Sequence, residues 1–211
     1  MKGSSRALVV TGRRSALMSG ALNDFMTLAS RLGLEVSVFQ GVEPNPTVDI
    51  VDKIAETAWR QKADRIIALG GGSVIDAAKL ASVISVCGCE ARDYLKGRCS
   101  PCGSLPLLAV NLTHGTGSEI NRYSVISDLE NKVKLGIASD YFYPLASVDD
   151  PLYTFTMPHE QIIYTSLDAF YHFIEAATSR ASSPMVETLA EEGVSLIAKF
   201  LPKAVKEPNL L

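Results

Sequence analysis

Three glycines and a serine, Gly70-Gly71-Gly72-Ser73, stand between a short apolar, β-branched run and a helix-periodic stretch. Few features constrain a chain more. Glycines at the end of a strand let the backbone approach a pyrophosphate, and the N-terminus of the following helix points N–H groups and a partial positive charge at the anion. The same residues also serve as a tight strand-to-helix turn without any ligand. The spacing is not the G-x-G-x-x-G of the common dinucleotide fold. Ser73 and Asp76 have the S-x-x-D spacing that predicts a capping box at the helix start.

The pattern around this turn repeats. Residues 7–11 read as a buried strand, 35–39 as an alternating one, and 65–69 and 107–111 as further strands, with one more short strand at 146–149. Residues 19–32, 47–62 and 74–85 carry apolar side chains at helical spacing; Gly33 and the prolines at 44 and 46 mark stops and loops. Strand and helix in strict alternation predict a parallel sheet covered on both faces. Residues 124–127 and 133–137 flank a polar turn and read as a hairpin. From Pro158 onward the pattern is only helical, at 160–177 and 184–200. The expected class is therefore α/β: a parallel-sheet dinucleotide-binding domain over residues 1–155, followed by the start of an all-helical metal-binding domain over 156–211.

Composition narrows the function. Of 211 residues 47% are hydrophobic and 20% charged, and the net charge is −3. That balance excludes a nucleic-acid partner and a polybasic membrane surface, and no apolar run reaches the roughly 20 residues of a membrane span. Residues 1–6 show no signal-peptide pattern, so a cytoplasmic location is expected. The cysteines, Cys87, Cys89, Cys99 and Cys102, form C-x-C and C-x-x-C pairs in one short region. Free thiols are the expectation for the cytoplasm; disulfides and a four-thiolate zinc site are the alternatives.

Two further features carry chemistry. His114-Gly115-Thr116-Gly117-Ser118-Glu119 is a second small-residue loop directly after a strand, and open α/β sheets bind ligands at strand C-termini. Asp168 and His172 are four apart in a helical segment, which puts them on one helix face. The pair suits two coordination positions of a divalent metal, or a plain surface contact.

At these residues the chain resembles the iron-dependent alcohol dehydrogenase family. The matching pieces are residues 70–79 (GGGSVIDAAK), 113–119 (THGTGSE), Lys134, Asp150-Pro151, residues 168–175 (DAFYHFIE) and 201–204 (LPKA), in the family's order. The resemblance implies hydride transfer between a nicotinamide, NADP or NAD, and a small alcohol or aldehyde, in a cleft between the two domains. It assigns pyrophosphate contacts to Gly71, Gly72 and Ser73, and nucleotide contacts to Thr113, Thr116, Ser118 and Lys134. It assigns Asp168 and His172 as ligands of Fe²⁺ (or Zn²⁺), and a homo-oligomer is possible.

The chain departs from the family pattern in places. Asn111 stands for the usual proline and His114 for the usual alanine; His114 is either a neighbour of the nicotinamide or a plain loop residue. Gly12 follows the first strand where many members carry aspartate. Without that acid, Arg13 and Arg14 are positioned to read a 2′-phosphate, and NADP(H) is the expected preference. The family's two further histidine ligands lie beyond residue 211, so the chain is expected to be truncated before the helical domain ends, to expose apolar surface there, and to bind metal weakly. The alternatives are a non-catalytic nucleotide-binding remnant and a zinc-using, glycerol dehydrogenase-like relative.

Overall fold

The computed structural model describes residues 5–206; most of the N-terminal segment that shows no signal-peptide pattern, residues 1–4, lies outside them. Five strands form one parallel sheet in the order β2-β1-β3-β4-β7. They are β1 (Arg6–Gly12), β2 (Glu35–Val42), β3 (Arg65–Gly70), β4 (Leu107–Asn111) and β7 (Ala146–Val148). Strands β5 (Tyr123–Asp128) and β6 (Val133–Ala138) pair antiparallel as the expected hairpin. It forms a sheet of its own, bridged to the loop before α3 where Ser127 N donates to Pro46 O.

Alternation along each strand sorts the core into two. Leu8 and Val10 of β1 and Ile66 and Ala68 of β3 face α3 (Val48–Arg60) and α4 (Gly72–Cys87). Ala7, Val9, Ile67 and Leu69 face the opposite side, against α1 (Ser15–Met18) and α2 (Ala21–Arg31). Each valine, leucine or isoleucine this buried contributes about 1.5–3 kcal/mol relative to exposure. Helix α3 buries the stripe its sequence predicts, Val48, Val51, Ile54, Ala55 and Ala58, and Thr47 caps it by accepting from Ile50 N. Helix α4 is apolar almost all round, as a helix enclosed by other elements must be; residues 77–83 are all buried.

The structure corrects the expected elements at several points. The helix expected over 19–32 is present as α2; Gly20, whose φ of 83° is left-handed, is its N-cap and separates it from α1, which the sequence reading lacks. A short helix absent from the sequence reading, α5 (Ala91–Leu95), begins where Ala91 N donates to the Asp52 carboxylate. The cysteines are not free thiols. Cys87 bonds to Cys102 and Cys89 to Cys99, one clip nested inside the other around α5. Their closeness is set by the turn after α4, which the chain must make to return to β4.

Helices α6 (His159–Thr178) and α7 (Pro184–Lys206) pack on each other. Their outer faces leave Tyr164, Leu167, Tyr171 and Ile174 of α6, and Met185, Leu189, Leu196 and Phe200 of α7, exposed. Among the described residues, no helix is long and apolar enough to cross a membrane.

Candidate functional site

In a parallel sheet the strand order reverses where successive crossovers go to opposite sides, and the strand C-termini part there. Here β1 connects to β2 on one side and β2 crosses over to β3 on the other. A cleft of about 780 Å³ opens along those strand ends. Its lining follows the sheet order: Val42 to Pro44 from the end of β2, Gly12 to Ser15 from the end of β1, Gly71 to Val74 after β3, and Leu112, Thr113 and Thr116 after β4. Tyr153, Met157, Pro158, Gln161 and Thr165 close the far end, the last two from α6.

The glycine turn and the second loop interlock. A Cβ on Gly71 would lie 2.6 Å from Thr113 Oγ1, too close for any side chain. Thr113 is held in turn by Asn111, whose Oδ1 accepts from Thr113 N at 3.2 Å. The N-cap of α4 is Gly71 and has no side-chain cap. The expected capping box is therefore absent: Ser73 Oγ accepts from Asn45 N at 3.2 Å, and Asp76 turns inward, accepting from Ser118 Oγ and from Val125 N at 3.0 Å. The first turn of α4 thus starts beside the cleft with no side-chain cap over its N-terminus. Burial pushes the Asp76 carboxyl above its ordinary value.

Of the residues expected to contact nucleotide, Gly12, Arg13, Gly71, Gly72, Ser73, Thr113 and Thr116 come together around this cleft. Ser118 is buried, with its hydroxyl committed to Asp76 beneath the loop. Lys134 sits on the hairpin and donates to Asn45 Oδ1 at 2.7 Å, so it reaches the cleft edge only through Asn45. Arg13 is ion-paired with Glu43, and Gln40 Nε2 donates to the Arg13 carbonyl at 2.6 Å. Glu43 and Asn45 do not stand out in the sequence, because their segment reads there only as a proline-marked loop. Asn45 has a φ of 57°, a left-handed conformation that asparagine tolerates.

Beneath the loop, Lys79 of α4 is fully buried. Its ammonium donates to Asn121 O, Asn121 Oδ1 and Tyr123 O at 2.8–2.9 Å, tying the segment after the second loop to the helix. Burial lowers its pKa to about 8.

His114 is the loop's contact with the helices. Its Nε2 lies 2.8 Å from Ser166 Oγ and 3.1 Å from Thr165 Oγ1. Burial holds its pKa below the ordinary value. Next to it, Gly115 has a φ of +97°, and a Cβ there would lie 2.0 Å from Thr165 O; only glycine lets the loop approach α6 this closely. His159, by contrast, is exposed at the start of α6 and bonds to Val205 O of α7.

Asp168 and His172 share one face of α6, with Nε2 3.5 Å from Oδ2, and both are about half exposed. Glu175 Oε2 lies 3.9 Å from His172 Nδ1. The pair fits two positions of a divalent ion. Among the described residues, no group of three or more His, Cys, Asp and Glu side chains could hold a metal.

Two interlocked small-residue loops at the reversal point of a parallel sheet, facing a helix with an Asp–His pair, define an α/β protein with its cleft at the strand ends. Residues 1–151 match the description "Iron-containing alcohol dehydrogenase", and residues 162–210 match the C-terminal part of the Fe-containing alcohol dehydrogenase family. The chain belongs to the iron-containing alcohol dehydrogenase family. Over 211 residues it is 37% identical to the long-chain primary alcohol dehydrogenase AdhA of Thermoanaerobacter ethanolicus, covering all of this chain and 53% of that one. The NADH-dependent butanol dehydrogenase A of Thermotoga maritima superposes with a TM-score of 0.93 at 29% identity, over 98% of this chain and 52% of that one. The sulfoacetaldehyde reductase of Bifidobacterium kashiwanohense, solved in complex with NAD⁺, gives 0.89 at 32% identity, over 98% and 55%. The chain thus spans about half the length of the relatives it matches.

Proposed function

We propose that this chain forms the dinucleotide half, residues 1–155, and the first metal-binding helices, residues 156–211, of a metal-dependent NAD(P)-linked alcohol dehydrogenase. The observation that carries the proposal is the cleft itself. It runs along the strand ends from Glu43 and Arg13, over the Gly71–Ser73 turn, to Gln161 and Thr165 on the helix that carries Asp168 and His172. A dinucleotide laid along it has its pyrophosphate over the free N–H groups of α4, and its nicotinamide toward α6. Thr113 and Thr116 offer hydroxyls along the middle. A metal bound at Asp168 and His172 would supply Lewis acidity to the oxygen of an alcohol or aldehyde.

A second reading, nucleotide binding without turnover, is favoured by one observation: the described residues offer two metal donors, whereas metal sites of this chemistry use three or four. Titrating the 211-residue chain with NADH and NADPH by calorimetry, beside an alcohol-oxidation assay, separates the cases. We expect binding with oxidation near background. Absence of binding by either cofactor would remove both readings, and fast turnover would remove the second.

A further inference from the structure

We propose that Glu43 is the residue that selects between NAD(H) and NADP(H), with Arg13 as its counterweight. The assignment rests on the dinucleotide reading and adds to it the end of the cofactor that reads the 2′-position. If the nicotinamide faces α6, the adenosine ribose falls at the opposite end of the cleft, where β1 and β2 stop. Gly12 and Val42 are register partners there, so the residues that follow them, Arg13 and Glu43, are brought side by side. A carboxylate at this place accepts a hydrogen bond from a ribose 2′-hydroxyl and repels a 2′-phosphate. A guanidinium does the reverse.

The pair is built to exchange. Its side chains are 74% and 60% exposed, and ion pairs so open to water are held weakly. Gln40 holds the Arg13 backbone, and the guanidinium pairs with Glu43 at the surface. A carboxylate has acceptor sites enough for Arg13 and a hydroxyl together, so NAD(H) is accommodated without breaking the pair. A 2′-phosphate has to take Arg13 away and leave Glu43 facing like charge. Arg14 and Lys134 are the other nearby cations; Lys134 is committed to Asn45. Glu43 therefore turns the preference toward NAD(H), the opposite of what Gly12, Arg13 and Arg14 suggest by themselves.

The test is the pair of dissociation constants for NADH and NADPH in the parent chain, Glu43→Gln and Arg13→Ala, measured by calorimetry. Both substitutions are on exposed side chains, and equal melting temperatures verify the fold. The parent should favour NADH, Glu43→Gln should raise the NADPH-to-NADH affinity ratio at least tenfold, and Arg13→Ala should lower it. Both cofactors bound with a ratio that neither substitution moves would overturn the assignment and leave the dinucleotide reading standing. A parent that binds neither cofactor overturns that reading, and this assignment with it.

Discussion

His114 and Ser166, fifty-two positions apart, meet at 2.8 Å and join the loop after β4 to the middle of α6. The two parts of the chain are registered against each other between the proposed nucleotide cleft and the proposed metal ligands.

That contact is pH-dependent. Burial keeps the His114 pKa in the folded state below its ordinary 6.5. As pH falls through that value, the unfolded chain takes up a proton that the folded chain refuses, so stability falls with pH. Urea midpoints should decline between pH 7 and pH 5, and His114→Asn should flatten part of that decline. Superimposable profiles for parent and variant would assign the acid sensitivity elsewhere.

Gly115 is the steric partner of this contact. Its φ is left-handed, and a methyl group on its Cα would stand 2.0 Å from Thr165 O, which leaves no room for alanine. Gly115→Ala should cost about 2 kcal/mol or more through strain and overpacking. Hydrogen exchange should speed up in α6 while β1 and β3 keep their protection. Uniform loss of protection would mean that the loop and the helix do not open separately.

Lys79 ties the loop from below with three donated hydrogen bonds. Lys79→Met retains much of the stem but removes three hydrogen bonds from a charged donor, at a cost of about 1–3 kcal/mol. The chemical denaturation midpoint should drop accordingly, and NADH affinity should weaken as Ser118 and Thr116 lose their footing. An unchanged midpoint would show that water replaces the ammonium.

The two nested disulfides enclose separations of 15 and 10 residues. Closing a loop of about 15 residues stabilises by roughly 3 kcal/mol on the chain-entropy account. For a chain this size that corresponds to about 6–12 °C in melting temperature. Reduction should lower the melting temperature by that order and make all four thiols reactive to a maleimide. Thiols that titrate fully before reduction would contradict the pairing.

Asp168 and His172 give the metal prediction. Replacing either with alanine should abolish uptake of Fe²⁺ or Zn²⁺, measured by equilibrium dialysis and elemental analysis, and leave NADH affinity within about twofold. Neither Asp168 nor His172 lines the dinucleotide cleft. Unchanged metal content in both variants would return the pair to a helix-surface contact.

Much of the fold is legible in the residues themselves. Short apolar runs locate the buried strands, alternation locates β2, and the 3.6 period locates both terminal helices, because burial on two faces, on one face and along one helical stripe each leave a different pattern in the chain. The glycine turn and the 113–116 loop stand out because backbone approach demands small residues in a row. The residues between Val42 and Pro46 do not, since Glu43 and Asn45 acquire meaning only when β1 and β2 are laid side by side. Ser73 and Asp76 mislead for a related reason. The capping-box spacing is local, whereas the partners that win, Asn45, Ser118 and Val125, come from distant parts of the chain. The cysteine pairing escapes a sequence reading that weighs compartment above the turn that draws Cys87 and Cys102 together.

The outward stripe of Tyr164, Leu167, Tyr171 and Ile174 on α6, with Met185, Leu189 and Phe200 on α7, has a consequence for how the molecule behaves in bulk. Apolar surface of this kind marks a place where another surface belongs, or where copies adhere. Salts excluded from protein surfaces, such as sulfate, strengthen that adhesion, and cooling weakens it. The chain should therefore hold to a phenyl matrix in ammonium sulfate, release as the salt is withdrawn, and stay dispersed longest when cold and dilute.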